Sequence, residues 1–123
     1  MQIQEAIAKL DRLRPNMVQT DVKVGWLSSI DSYVFSEIMA AREGAPITSF
    51  SPYTSEDMTG ELLVQAPYDE LYIYRMEAEL YYEQREIKKY ASSMTLYNQA
   101  MQDFCKKYAR EHRAKQLPET KYW

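Results

Sequence analysis

Cys105 and His112 are the only thiol and the only imidazole in the chain. A nucleophilic cysteine needs a neighbouring base and surroundings that favour the thiolate. No histidine sits at a supporting sequence position for Cys105. The cysteine falls instead on an apolar stripe with Met94, Tyr97, Met101, Phe104 and Tyr108, where it reads as a small hydrophobe. His112 lacks the HExxH and Glu-x-x-His patterns of metal sites and reads as structural or solvent-facing. Carboxylates are many, but no pair stands out for acid–base work. The three glycines form no phosphate-binding loop. Met17, Met39, Met58, Met76, Met94 and Met101 read as core filler or adaptable contact surface. These residue types argue against an enzyme, and they suggest no cofactor and no metal.

With 123 residues the chain has the size of one ordinary domain. Its few glycines and many Glu, Gln, Lys, Ala, Leu and Met residues favour helix. The lone cysteine excludes an internal disulfide and suits a reducing compartment. No apolar run approaches the ~20 residues of a membrane span, so no membrane association is expected. The net charge of −3 does not predict nucleic-acid binding, but its distribution is uneven. From Lys106 onward there are six Lys/Arg against two acids, and the rest carries nine against sixteen. An acidic body with a basic end can guide self-association or a partner contact.

The periodicity predicts an all-α bundle of about four helices. Ile3, Ile7, Leu10 and Leu13 mark the first, stopped by Pro15. The second opens near Thr20 or Asp21, carries Leu27, Ile30, Val34 and Ile38, and stops at Gly44. Gly25 weakens its early turns or permits close packing. Residues 45 to 66 read as a long loop able to form a short β-hairpin, with its exposed tip around Ser55 to Gly60. The third helix is expected from Pro67 to about Tyr90. The fourth is expected after Ser92 and Ser93, making a long antiparallel helical hairpin in the C-terminal half. The domain spans 1–115, and 116–123 reads as a flexible tail.

The third helix is apolar on two sides. Leu71, Tyr74, Ala78, Tyr81 and Tyr82 cluster on one flank, and Ile73, Met76, Leu80 and Ile87 nearly opposite. A surface helix needs only one such stripe. The helix is therefore either central in its own bundle or shared with another subunit. Eleven tyrosines against three phenylalanines suit partly wet contacts. Glu79, Glu83 and Glu86 form an acidic seam whose repulsion Arg75 relieves only in part. The basic end, with Lys106, Lys107, Arg110 and Arg113, could meet the seam of the next copy head-to-tail, and closed head-to-tail contacts make rings. Candidate subunit-interface residues are thus Ile73, Met76, Leu80, Ile87, Glu79, Glu83, Lys106, Lys107 and Arg110. In the long loop, Phe50, Tyr53, Glu56, Asp57 and Met58 are candidates for partner contacts.

Three stretches carry a resemblance: "KVGWLSSIDSYVFSEI", "FSPYTSEDMTGELLVQAPYDELYIYRMEAEL" and "KYASSMTLYNQAMQDFCKKY". In this order, over roughly residues 2 to 112, the chain resembles the head–tail connector (head-completion, neck adaptor) proteins of tailed phages and prophages. The sequence is charge-rich at "YYEQREIKKY", where that family often places Gly or Asn to shape the inter-helix turn. The resemblance implies a structural, non-enzymatic adaptor that forms a ring between portal and tail and extends the DNA channel. It also implies that the portal protein and a downstream neck or tail-completion protein are partners. Twelvefold portal symmetry implies a twelve-copy homo-oligomer. DNA would pass through without sequence-specific binding, helped by an acidic lumen that repels phosphate. The implied location is the virion, and the host bacterial cytoplasm during assembly. The competing class is a small helical partner-binding or DNA-binding regulatory protein, which would bind duplex DNA with a steep salt dependence.

Overall fold

A computed structural model describes residues 1–115, and the tail predicted at 116–123 lies outside the described residues. Among the described residues the chain is an all-α bundle of four helices: α1 (Ile3–Leu13), α2 (Thr20–Tyr33), α3 (Glu70–Glu83) and α4 (Ile87–Glu111). A π-helical stretch, Val34–Met39, extends α2.

The pairing of side chains gives the direction of each helix. Tyr68 faces Phe104 at 6.3 Å between rings, the Arg75 guanidinium lies 5.4 Å from the Tyr97 ring, and Tyr82 faces Tyr90 at 5.6 Å. As the first number rises the second falls, so α3 and α4 form the expected antiparallel hairpin. Lys9 pairs with Glu70, and Arg14 with Glu77 at 3.3 Å, so α1 and α3 run parallel. Lys23, at the start of α2, reaches back to Asp11 near the end of α1 at 2.6 Å. The topology is up-down-up-down. One end of the bundle carries the α1–α2 link and the α3–α4 bend; the other carries the C-terminal ends of α2 and α4.

The α3–α4 bend corrects the expected helix lengths. α3 stops at Glu83, short of Tyr90, because Arg85 adopts φ 59°. Glu86 N–H then donates to Tyr81 O at 2.9 Å, and Arg85 N–H to Tyr82 O at 3.1 Å. These two bonds are a Schellman cap with Arg85 in the left-handed position that Gly or Asn usually holds. α4 consequently begins at Ile87, and Ser92 and Ser93 lie inside it instead of capping it. Ser92 Oγ donates to the Lys88 carbonyl at 3.1 Å, the back-bond by which serine fits a helix interior. α3 also starts later than expected: Pro67 lies in a turn, and helix begins at Glu70.

α2 is helical through Met39 by way of the π turn, where Ala40 N–H donates to Phe35 O at 2.8 Å. The wider turn lets Val34, Ile38 and Met39 all enter the core. Gly44, with φ 78°, follows in the turn beyond. Gly25 is solvent-facing, and an added Cβ there meets nothing within 4 Å, so it serves no close packing. Two backbone substitutions should therefore stabilise the fold. Gly25→Ala removes a flexible residue from a helix interior, and Arg85→Gly relieves a left-handed Cβ. Each should raise the unfolding free energy by about 1 kcal/mol in urea titrations, and the two should add.

The 45–66 segment forms no hairpin; among the described residues there are only isolated bridges, Gln2 with Glu61 and Arg42 with Ala114. Its backbone instead satisfies the exposed amides that open α1. Ile3 N–H donates to Gly60 O at 3.0 Å and Gln4 N–H to Met58 O at 2.9 Å. Glu5 accepts from Gln2 N–H at 3.0 Å, and Leu62 N–H donates to Met1 O at 3.0 Å. A chain with polar backbone groups to place uses them here as a cap. At the other end, Lys115 N–H donates to Ala41 O and Glu43 N–H to Arg113 O. Arg42 Nη1 donates to the His112 carbonyl at 2.9 Å, covering the negative end of α4.

Candidate functional site

The predicted interface residues divide into two groups. Ile73, Met76 and Leu80 are buried within the chain, together with Leu71 and Ala78 on the other flank. α3 is thus the central helix of its own bundle for most of its length, covered by α1, α2 and α4. Those three residues offer no surface to a neighbouring subunit, which removes them as interface candidates. Ile87 is different: it is 78% exposed.

Ile87 is one of several exposed apolar residues at one end of the bundle. Met17 is 95% exposed and Tyr82 68%, and Leu13 and Val22 are exposed beside them. All five lie at the end formed by the α1–α2 link and the α3–α4 bend. A notch of about 600 Å³ between Tyr82, Ile87 and Tyr90 indents this end. Isolated exposed hydrophobes need no explanation, but a group gathered at one end of a small bundle is a candidate contact surface. The sequence pattern pointed to the α3 flank because it extended the helix through the bend. Arg85 redirects the chain there, and the unburied residues end up at the tip.

The acidic seam is largely satisfied locally. Glu79 pairs with Arg75 at 3.1 Å and Glu86 with Lys89 at 3.0 Å, while Glu83 is exposed. At the basic end, Lys107 pairs with Glu111 at 3.4 Å and sits 5.5 Å from the Tyr68 ring; Lys106 and Arg110 are exposed. The seam therefore has less need of cations from a second copy than the bare sequence implies.

The loop candidates also divide. Glu56 and Asp57 are both exposed, and Asp57 accepts from Thr54 N–H at 2.7 Å within the turn. Met58 packs against the core, and Phe50 meets Tyr53 edge-on at 5.2 Å between ring centres. Tyr53 is committed to the interior. Its hydroxyl donates to Asp31 Oδ2 at 2.5 Å, and its N–H donates to Ser28 Oγ at 3.0 Å.

Asp31 is a residue the sequence reading missed. It is fully buried. Leu63 N–H donates to its Oδ2 at 3.0 Å and the Tyr72 hydroxyl to its Oδ1 at 2.5 Å. Tyr72 in turn accepts from Val64 N–H at 2.8 Å. One carboxylate thus ties α2, the long loop and α3 together. Burial pushes the Asp31 carboxyl above the usual carboxylate range, against the opposing pull of its three donors. Burial, then Asp31, push the Tyr53 phenol far up. Tyr72 shifts the same way for the same reasons, so both phenols stay protonated donors. The signal was available: Asp31 falls on the Leu27–Ile30–Val34–Ile38 stripe, where a charged residue must find partners.

No family model, curated protein or solved structure matches this chain.

Cys105 and His112 are not brought together. His112 stacks on Tyr108 with ring centres 3.8 Å apart and meets the Glu43 carbonyl through Nδ1 at 2.9 Å. Burial raises the Cys105 thiol, away from the thiolate form. Among the described residues, no group of three or more His, Cys, Asp or Glu is placed to hold a metal ion. Among them too, no helix is long and apolar enough to cross a membrane.

Proposed function

We propose that this chain is a structural adaptor of a tailed phage or prophage, assembling as a ring between portal and tail. The observation that carries this reading is the uncovered apolar end of the bundle, with Met17, Tyr82 and Ile87 at its centre. A rigid helical part that works by being held between neighbours needs such a surface, and a small self-sufficient domain does not. The order of motifs between residues 2 and 112 supplies the direction from contact module to connector. Asp31 and the caps on α1 fix the long loop to the bundle, which suits a load-bearing part.

Cryo-electron microscopy of this protein mixed with its portal tests the proposal. The expected image is a ring of bundles on the portal with the α3–α4 bend buried at a contact. Free portal and free protein under saturating conditions would overturn it. Tight duplex-DNA binding with a steep salt slope would instead favour the helical regulator, whose phosphate contacts would fall to exposed Lys106, Arg110 and Arg113.

A further inference from the structure

The backbone of α1 reaches only the long loop. Ile3 N–H donates to Gly60 O, Gln4 N–H to Met58 O, and Leu62 N–H to Met1 O just ahead of the helix. Among the described residues no backbone bond joins α1 to α2, α3 or α4. Toward those helices it presents side chains. Ile3, Ala6, Ile7 and Leu10 are buried, Asp11 meets Lys23, and Lys9–Glu70 and Arg14–Glu77 are partly exposed pairs of the kind that hold weakly. The loop is fastened differently. The Tyr53 hydroxyl and Leu63 N–H converge on Asp31 in α2, and Val64 N–H reaches the Tyr72 hydroxyl in α3. Within the loop, Asp57 accepts from Thr54 N–H through its carboxylate and from Gly60 N–H through its carbonyl. Tyr53 and the carbonyls that cap α1 are thus parts of one bonded turn.

α2, α3 and α4 close on one another without α1. α3 and α4 form the hairpin. The far end of α2 is bound to the end of α4, where Arg42 donates to His112 O, Glu43 N–H to Arg113 O and Lys115 N–H to Ala41 O. α1 and the loop, by contrast, depend on each other. Without the loop the leading turn of α1 has no protein partners, and without α1 the carbonyls of Met58 and Gly60 have none. An 11-residue helix parted from its packing surface is also too short to persist in water.

We propose that α1 and residues 53–64 form one lid over α3, which opens as a unit while α2, α3 and α4 stay packed. Asp31 is its latch. The 14–19 link is its hinge, where Met17 is 95% exposed and Arg14, Pro15 and Gln19 are exposed too. Opening uncovers Ile73, which is buried and lies between Glu70 and Glu77 on the face that α1 covers. The open bundle therefore shows apolar surface that the closed one hides. The inference is independent of the adaptor reading, because it concerns how the bundle opens and not what it joins.

Native-state amide exchange of the full chain, followed by NMR, tests it. In the parent, Ile7, Leu10, Leu63 and Val64 should report one common opening, at least about tenfold more frequent than that of Met76, Met101 and Phe104. Tyr53→Phe removes one bond of the latch. It should speed exchange at Ile7 and Leu10 about fivefold, as much as at Leu63 and Val64. Gly25→Ala strengthens α2, which stays helical in the open form. It should slow Met76, Met101 and Phe104 about fivefold and leave the four lid amides unchanged. Both variants leave the apolar core intact, so both should fold. One protection shared by all seven amides, slowing of Ile7 and Leu10 by Gly25→Ala, or unaltered exchange of Ile7 and Leu10 in Tyr53→Phe would each overturn the proposal.

Discussion

Replacing Asp31 with alanine should remove about 4 kcal/mol of folding stability, read as a lowered urea midpoint. The variant deletes one acceptor but strands three donors: the Tyr53 and Tyr72 hydroxyls and the Leu63 amide. Tyr72 is fully buried, so water cannot replace the lost partner there. Conservative changes at the donors should cost less. Tyr53→Phe, at the half-exposed edge, should cost about 1 kcal/mol, and Tyr72→Phe about 2 because it also strands Val64 N–H. If Asp31→Ala proved milder than Tyr72→Phe, the carboxylate would not be the hub. The pH dependence has a definite sign. Burial raises the folded-state value of Asp31, so the native protein holds a proton that the unfolded chain releases first. The stability this group confers is complete below about pH 4, the unfolded value, and is lost as pH rises through the raised folded value. Asp31→Asn has no such titration. Urea midpoints should therefore fall for the parent relative to that variant across this rise.

The second large effect is expected at the apolar end. Ile87→Glu places a charge where the parent exposes a branched hydrocarbon, on a side chain that is 78% exposed. The fold should hardly notice, with a thermal midpoint within a few degrees of the parent. Under the proposed adaptor function, association with the portal should suffer strongly, because a central apolar contact carries about 2 kcal/mol or more, a loss of roughly thirtyfold in affinity. Sedimentation with purified portal rings would measure it. Tyr82→Glu should act alike, whereas Glu56→Lys, in the exposed part of the long loop, should have little effect there. Undiminished binding by both tip variants would move the contact elsewhere.

The helical architecture was legible because its signals are local. The stripe from Leu27 to Ile38 and the stripe through Tyr97, Met101, Phe104 and Tyr108 repeat at helical spacing, and all of these residues are buried. What the sequence hid depends on single backbone states or on distant partners. The resemblance places an inter-helix turn in "YYEQREIKKY", but arginine gives no local reason to turn left-handed at Arg85, and that one residue sets the length of both hairpin helices. The two apolar flanks of α3 were read correctly as needing cover, but periodicity does not say whose side chains provide it. Asp31 was readable as a charge on an apolar face. Its partners, Tyr53, Leu63 and Tyr72, come from segments with no periodic relation to it.

One detail of the fold bears on how the chain is made. The amides that open α1 are met by carbonyls at Met58 and Gly60. Leaving the ribosome ahead of those residues, α1 therefore waits, with its leading turn unfinished, until the 58–60 stretch has followed. Its greasy side also faces α3, which is synthesised later still. Synthesis from the N-terminus thus gives α1 no head start, and the bundle closes when the late hairpin arrives to receive it.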